Sequence, residues 1–317
     1  MTPPEPPAMP PHPDAAARTA AAAADAPNVP NAPDTPVSAD RSHAEDAQDA
    51  VLALDAGEVH VRLDGPRDAP ALVLVHGSAS SAGAWSALVP LLTSSHRVVR
   101  IDLPGHGSSG EPAGGDYAVE EQAAAVGQAL DLLGVDRAVV AGHSSGGYTA
   151  VALAEKRPGL VSALVLVNTG PSTGAYLAPE SAAIDPAQWP PSDEQLRGFA
   201  SSAFRNGFRI PQELVDELRG IRIRAVGAAM GGSLAYLGLK PVPDRLIALG
   251  TPVQVLFGDQ DRRWRPASFA DYRAVPGADV RAVPGSGHTP IIEDPRRTAD
   301  LMLAFAALHR TGGSPAG

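Results

Sequence analysis

Ser144 lies in Gly142-His143-Ser144-Ser145-Gly146, between a β-branched apolar run, Val139 to Ala141, and an Ala-rich stretch, Tyr148 to Ala154. The run reads as a buried strand and the stretch as a helix. A serine at G-x-S-x-G spacing in that context points to a sharp strand-to-helix turn. The turn strains the serine backbone and leaves no room for side chains two residues to either side. It lifts the hydroxyl clear of the sheet and aims the first N–H groups of the helix at whatever the serine attacks. The chemistry implied is nucleophilic. A serine hydroxyl is a poor nucleophile until a base takes its proton, and the base needs an acid to orient it.

Nine histidines are available as that base. His12 and His43 fall in a Pro-rich tail, His60 on a strand near the sheet edge, His96 in a loop and His309 on the last helix. His76, His106 and His143 occupy turns at strand ends, where they read as turn-shaping. His288, in Pro284-Gly-Ser-Gly-His288-Thr289, follows the last strand and precedes the last helix. Open α/β sheets bind ligands at the carboxyl ends of their strands, so His288 is placed to reach Ser144. The acid is expected after the preceding strand, where Phe257-Gly258-Asp259-Gln260-Asp261 offers two carboxylates. The other strand end in question offers Asn168 and no acid. On position alone, Asp259 and Asp261 are both open. The order Ser…Asp…His belongs to one fold superfamily.

The elements that must hold these residues follow from hydrophobic patterning. Val51–Leu54 and Glu58–Leu63 suggest a hairpin around Ala56-Gly57, and Ala71–Val75 is a buried strand ending in His76-Gly77-Ser78. Trp85 to Leu92 reads as a helix, Arg97–Ile101 as a strand and Val119 to Leu133 as an amphipathic helix. Strands follow at Ser162–Val167, Pro252–Phe257 and Asp279–Val283, and a helix from Arg296 to His309 closes the pattern. Strands alternating with helices predict a doubly wound, mostly parallel sheet, class α/β. Between 171 and 249 the alternation stops and the apolar residues repeat with helical spacing. That stretch is expected to be a helical insertion, dividing a core of 51–170 and 250–312.

Composition narrows the function. The chain has 317 residues, no cysteine and a formal charge of −10. That excludes disulfides, thiolate metal sites and a cysteine nucleophile, and argues against nucleic acid as a partner. No apolar run approaches the ~20 residues needed to span a membrane. Residues 1–50 hold eight acids and two arginines, many prolines and no aromatic residue, and are expected to be disordered. That segment lacks the basic start and apolar centre of a secretory signal, so a cytoplasmic location is expected.

Taken together, His76-Gly77, Asp102-x-Pro104-Gly105-His106-Gly107-x-Ser109, Gly142-His143-Ser144-Ser145-Gly146-Gly147, Gly258-x-x-Asp261 and Gly287-His288 resemble the α/β-hydrolases, in particular their cap-bearing group. The resemblance covers nearly all of 55–310. It implies Ser144 as nucleophile, His288 as base and Asp261, three after the glycine, as the acid. It also implies an oxyanion hole from the backbone N–H groups of Ser78 and Ser145. The insertion matches the family's cap, whose aromatics Trp189, Phe199, Phe204 and Phe208, with Trp85 from the first helix, are candidate pocket walls. A serine at the turn excludes the members that need an aspartate there, the haloalkane dehalogenases and epoxide hydrolases. The leading expectation is hydrolysis of a small or medium apolar carboxylic ester through an acyl-enzyme. Water is the only co-reactant, with no cofactor, no metal and no membrane partner. C–C bond hydrolysis or peracid formation on the same residues is the alternative chemistry. A ligand sensor with vestigial turnover is the non-enzymatic one.

Overall fold

The computed structural model describes residues 48–177 and 191–309. Eight strands are present: β1 (Gln48–Leu54), β2 (Gly57–Asp64), β3 (Ala71–Val75), β4 (Arg97–Ile101), β5 (Ala138–His143), β6 (Val161–Val167), β7 (Val253–Gly258) and β8 (Asp279–Val283). They form one sheet in the order β1-β2-β4-β3-β5-β6-β7-β8. β2 pairs antiparallel with β1 and β4, and every later pairing is parallel. The first strand starts earlier than the sequence pattern suggests. Gln48, Asp49 and Ala50, assigned above to the tail, pair with Leu63, Arg62 and Val61. Ala50 is half-buried against the core, which gives these residues a packing partner that composition does not reveal. Residues 1–47 and Trp189 lie outside the described residues.

The central strands are apolar on both faces because helices cover both. Val73, Val140, Leu164 and Val255 face α2 (Val119–Leu132) and α3 (Gly146–Lys156). Leu72, Leu74, Val139, Val165 and Leu256 face the opposite way, toward α1 (Val89–Leu92) and the last helix, α8 (Pro295–Leu308). Full burial of each such Leu or Val contributes roughly 1.5–3 kcal/mol. The single helix expected from Trp85 to Leu92 is instead a 3-10 turn, Ala82–Trp85, and the short α1. Pro90 explains the break: it has no N–H to continue a helix from upstream, but fits the first turn of a new one.

The insertion contains α4 (Asp193–Ser201), α5 (Gln212–Arg219), α6 (Ile223–Leu239) and α7 (Val242–Leu249). Ser192 and Gln195 cap α4 reciprocally, and Gly250, at φ 66°, ends α7 in the left-handed region. The helices divide by what they pack against. Leu196, Ala200, Val215 and Leu218 of α4 and α5 make a small core with Phe204. Tyr236 and Leu237 at the end of α6, and Val242 and Leu246 of α7, join the main core instead.

Candidate active site

The turn after β5 behaves as its glycines require. Ser144 stands at φ 53°, a conformation that L-residues rarely adopt. A Cβ on Gly142 would lie 2.4 Å from the carbonyl oxygen of Gly146, and one on Gly146 would lie 2.3 Å from that of His76. Strain at Ser144 is held by a hydrogen bond from its N–H to Val167 O, 2.8 Å, and by Thr169 Oγ1 donating to its carbonyl at 3.0 Å. The hydroxyl therefore stands at the carboxyl end of the sheet, where the loops after β7 and β8 also end.

Those loops supply the other two groups. His288 Nε2 lies 2.9 Å from Ser144 Oγ, and His288 Nδ1 lies 2.9 Å from Asp261 Oδ2. The histidine and the carboxylate are fully shielded from solvent. Asp261 Oδ1 accepts from the backbone N–H groups of Arg263 and Trp264, at 2.7 and 3.1 Å. Its Oδ2 also accepts from Asn168 Nδ2 at 2.7 Å. Burial alone would raise this carboxyl, but the His288 charge and these hydrogen bonds outweigh it and hold it below the usual range. An ionised Asp261 can only accept. The Nδ1 of a neutral His288 therefore carries the proton, leaving Nε2 free to take one from Ser144.

Asp259 is placed differently. It is exposed, and its Oδ1 accepts from the backbone N–H of Gly285 at 2.8 Å, bracing the turn after β8. The His288 loop is braced further by Glu293, whose Oε1 accepts from the N–H groups of Gly287 and Thr289 at 3.0 and 3.2 Å. His143 Nε2 donates to the His288 carbonyl at 2.9 Å, and burial pushes His143 down to about 3, so it stays neutral.

Sequence reasoning passed over Asn168 as a residue without a carboxylate. It is fully buried, at φ 48°, and joins three segments. Besides holding Asp261, it donates to Gly287 O at 3.2 Å and accepts from Gly258 N at 3.2 Å. The signal was there in outline: asparagine tolerates the left-handed region, and this one ends a strand next to the acid-bearing one.

Ser78 and Ser145 meet beside Ser144. The Ser78 N–H donates to Ser145 Oγ at 2.8 Å, and the two hydroxyls are 2.9 Å apart. A cavity of about 400 Å³ opens over them, lined by Ser144, Tyr148, Tyr176, Phe199, Met230, Leu234 and Trp264 among others. A small side cavity of about 60 Å³ adjoins Ser144 and includes Phe204. Phe199 touches both cavities. Phe208 lines neither; it stacks on Phe204 with ring centroids 4.8 Å apart, as part of the small α4–α5 core. Trp85 is not a pocket wall. It is fully buried between the sheet and α1, edge-on to the His143 ring at 6.5 Å, because the 3-10 turn points its indole inward.

The sequence pattern of the alpha/beta hydrolase family matches residues 72–301, and the chain belongs to that family. A pimeloyl-[acyl-carrier protein] methyl ester esterase of Methylococcus capsulatus is 32% identical over 251 residues, covering 75% of this chain and 95% of that protein. An uncharacterized protein of Mycobacterium tuberculosis is 30% identical over 263 residues, covering 74% of this chain and 75% of its own. Among solved structures, a hydrolase from Pseudomonas aeruginosa PA01 has a TM-score of 0.67 at 27% identity, covering 81% of this chain and 98% of that one. Among the described residues, no helix is long and apolar enough to cross a membrane.

Proposed function

We propose that the protein is a serine hydrolase of small or medium carboxylic esters with apolar bodies. The observation that carries this reading is the hydrogen-bonded line from Ser144 Oγ through His288 to Asp261, opening on an apolar cavity of about 400 Å³. Ser144 Oγ attacks the ester carbonyl as its proton passes to His288 Nε2, and Asp261 stabilises the imidazolium. The carbonyl oxygen becomes an oxyanion that the Ser78 and Ser145 N–H groups receive, each such donor contributing roughly 3–4 kcal/mol. His288 returns its proton to the departing alcohol and leaves an acyl-Ser144. Water then gives a proton to His288 and attacks the acyl carbon, and His288 passes that proton to Ser144 Oγ as the acid is released. α4 to α6 act as the cap that shapes the acyl and alcohol sites. The esterase named for the M. capsulatus relative supports the reading.

The test is steady-state turnover of 4-nitrophenyl acetate and butyrate. Sustained multiple turnovers that vanish in Ser144→Ala are the expected result. A single burst followed by silence supports a sensor instead.

A further inference from the structure

One side chain in the cavity has no part in the steps above. Arg263 follows Asp261 by two residues and lines both the main and the side cavity, each time together with Ser144. Its Nε donates to Ser202 Oγ, at the end of α4, at 3.2 Å. Among the described residues, no carboxylate forms an ion pair with its guanidinium. Asp261 acts on it through space, yet that carboxylate already accepts four hydrogen bonds, from His288, Asn168 and two backbone N–H groups. The neighbouring walls are Tyr176, Phe199, Met230, Leu234 and Trp264. Burial pushes the Arg263 pKa down, but a guanidinium remains charged.

Arg263 is half-buried, and its charge faces a cavity lined by these apolar groups and by serine hydroxyls with no ion-pair partner, so a purely structural role accounts poorly for it. Tying α4 to the loop needs only one donor, and Arg262 already reaches the same helix end, with Nη1 donating to Ser201 O at 3.4 Å. With Nε committed to Ser202, the two Nη groups still offer a pair of parallel N–H donors. That edge matches the two oxygens of a carboxylate. We propose that Arg263 is a specificity-determining residue that binds a carboxylate on the substrate, so the preferred esters carry a carboxylate separated from the scissile bond by an apolar chain. This rests on the ester-hydrolase reading of Ser144 and narrows its substrate class.

The experiment compares esters matched in length. On the acyl side, the mono-4-nitrophenyl esters of adipic and pimelic acid are set against 4-nitrophenyl hexanoate and heptanoate. On the alcohol side, the hexanoate ester of 6-hydroxyhexanoic acid is set against hexyl hexanoate. In at least one series the wild type should favour the carboxylated ester in kcat/KM. Arg263→Gln should cut that preference at least tenfold, mostly through KM, and Arg263→Lys should restore part of it. Using the ratio removes any general loss from a disturbed Asp261. A ratio unchanged in Arg263→Gln overturns the proposal. If that variant fails to fold, a wild type that prefers the neutral ester in both series overturns it just as well. Fluorophosphonate labelling of Ser144 separates the two levels. Labelling with turnover but no carboxylate preference removes only the role of Arg263. Absence of both turnover and labelling removes the hydrolase reading, and the Arg263 proposal with it.

Discussion

Two buried histidine–aspartate pairs sit in this molecule at the same Nδ1–Oδ2 distance of 2.9 Å, His288–Asp261 and His60–Asp102. Their surroundings differ. The second nitrogen of His288 meets a serine hydroxyl held at a strained φ beside a cavity. That of His60 faces Asp49 at 3.7 Å. Asp102 spends its oxygens on loop closure, accepting from the N–H groups of Ala82 at 2.6 Å and Ser108 at 2.9 Å. It ties β2 to the two loops after β3 and β4. Equal geometry thus serves two purposes, and the third group on the imidazole decides which. On the proposed function the aspartate of the first pair polarises a base; the aspartate of the second is a staple.

Replacing each aspartate in turn should separate the two pairs most sharply. Asp261→Asn should reduce kcat on a 4-nitrophenyl ester by up to about 10⁴-fold, as the wrong histidine tautomer does in the serine protease template. Asp102→Asn should leave kcat per folded molecule within about tenfold of wild type. Its cost should appear in urea unfolding, as about 1–3 kcal/mol for the buried donors left poorly satisfied. Asp259→Asn, which removes a charge but keeps an oxygen to accept from the Gly285 N–H, should stay within about tenfold in kcat. Equal kcat losses in Asp261→Asn and Asp102→Asn would contradict the distinction.

The two pairs also differ in how far the sequence shows them. Ser144 and His288 were legible because glycine spacing and position after a strand are local signals. Asp261 needed more, since Asp259 follows the same strand and only the turn decides which carboxylate points inward. Asn168 and the His60–Asp102 pair were out of reach for another reason. Their roles depend on contacts between segments 93 and 42 residues apart, set by strand order rather than by any local pattern. Trp85 failed on direction. A bulky aromatic near a site fits core and pocket equally until the turn that carries it is known. The doubly wound sheet itself was readable, because strand and helix periods alternate cleanly outside the insertion.

A smaller effect concerns the histidines that neither donate nor accept the reaction's proton. Burial pushes His106 down to about 4 and His143 down to about 3, and lowers His76 as well. Each is neutral when folded and takes up a proton more readily when unfolded. Their stabilisation is therefore complete above ~6.5 and is lost as pH falls toward the folded values. Each contributes a slope of ~1.4 kcal/mol per pH unit in that window. The urea-unfolding free energy, measured from pH 6.5 to 5, should fall with a slope that steepens from at least about one proton toward about two or more as the unfolded histidines fill. A flat profile would contradict their neutral burial.

A slight change is expected at the proposed oxyanion site. Ser145 Oγ holds the Ser78 N–H, so a substrate oxygen must displace it. A neutral hydrogen bond is worth about 1 kcal/mol, so Ser145→Ala should raise kcat by about fivefold. A fall in kcat would mean that the hydroxyl assists the oxyanion instead.

On the proposed function the His288–Asp261 pair, alone of the two, activates a serine. Peptide mapping of the intact protein after reaction with a fluorophosphonate tests it most directly. One adduct is expected, on Ser144, abolished in His288→Gln and retained in His60→Gln. An adduct on Ser78, Ser145 or any other serine, or labelling that survives in His288→Gln, would contradict it.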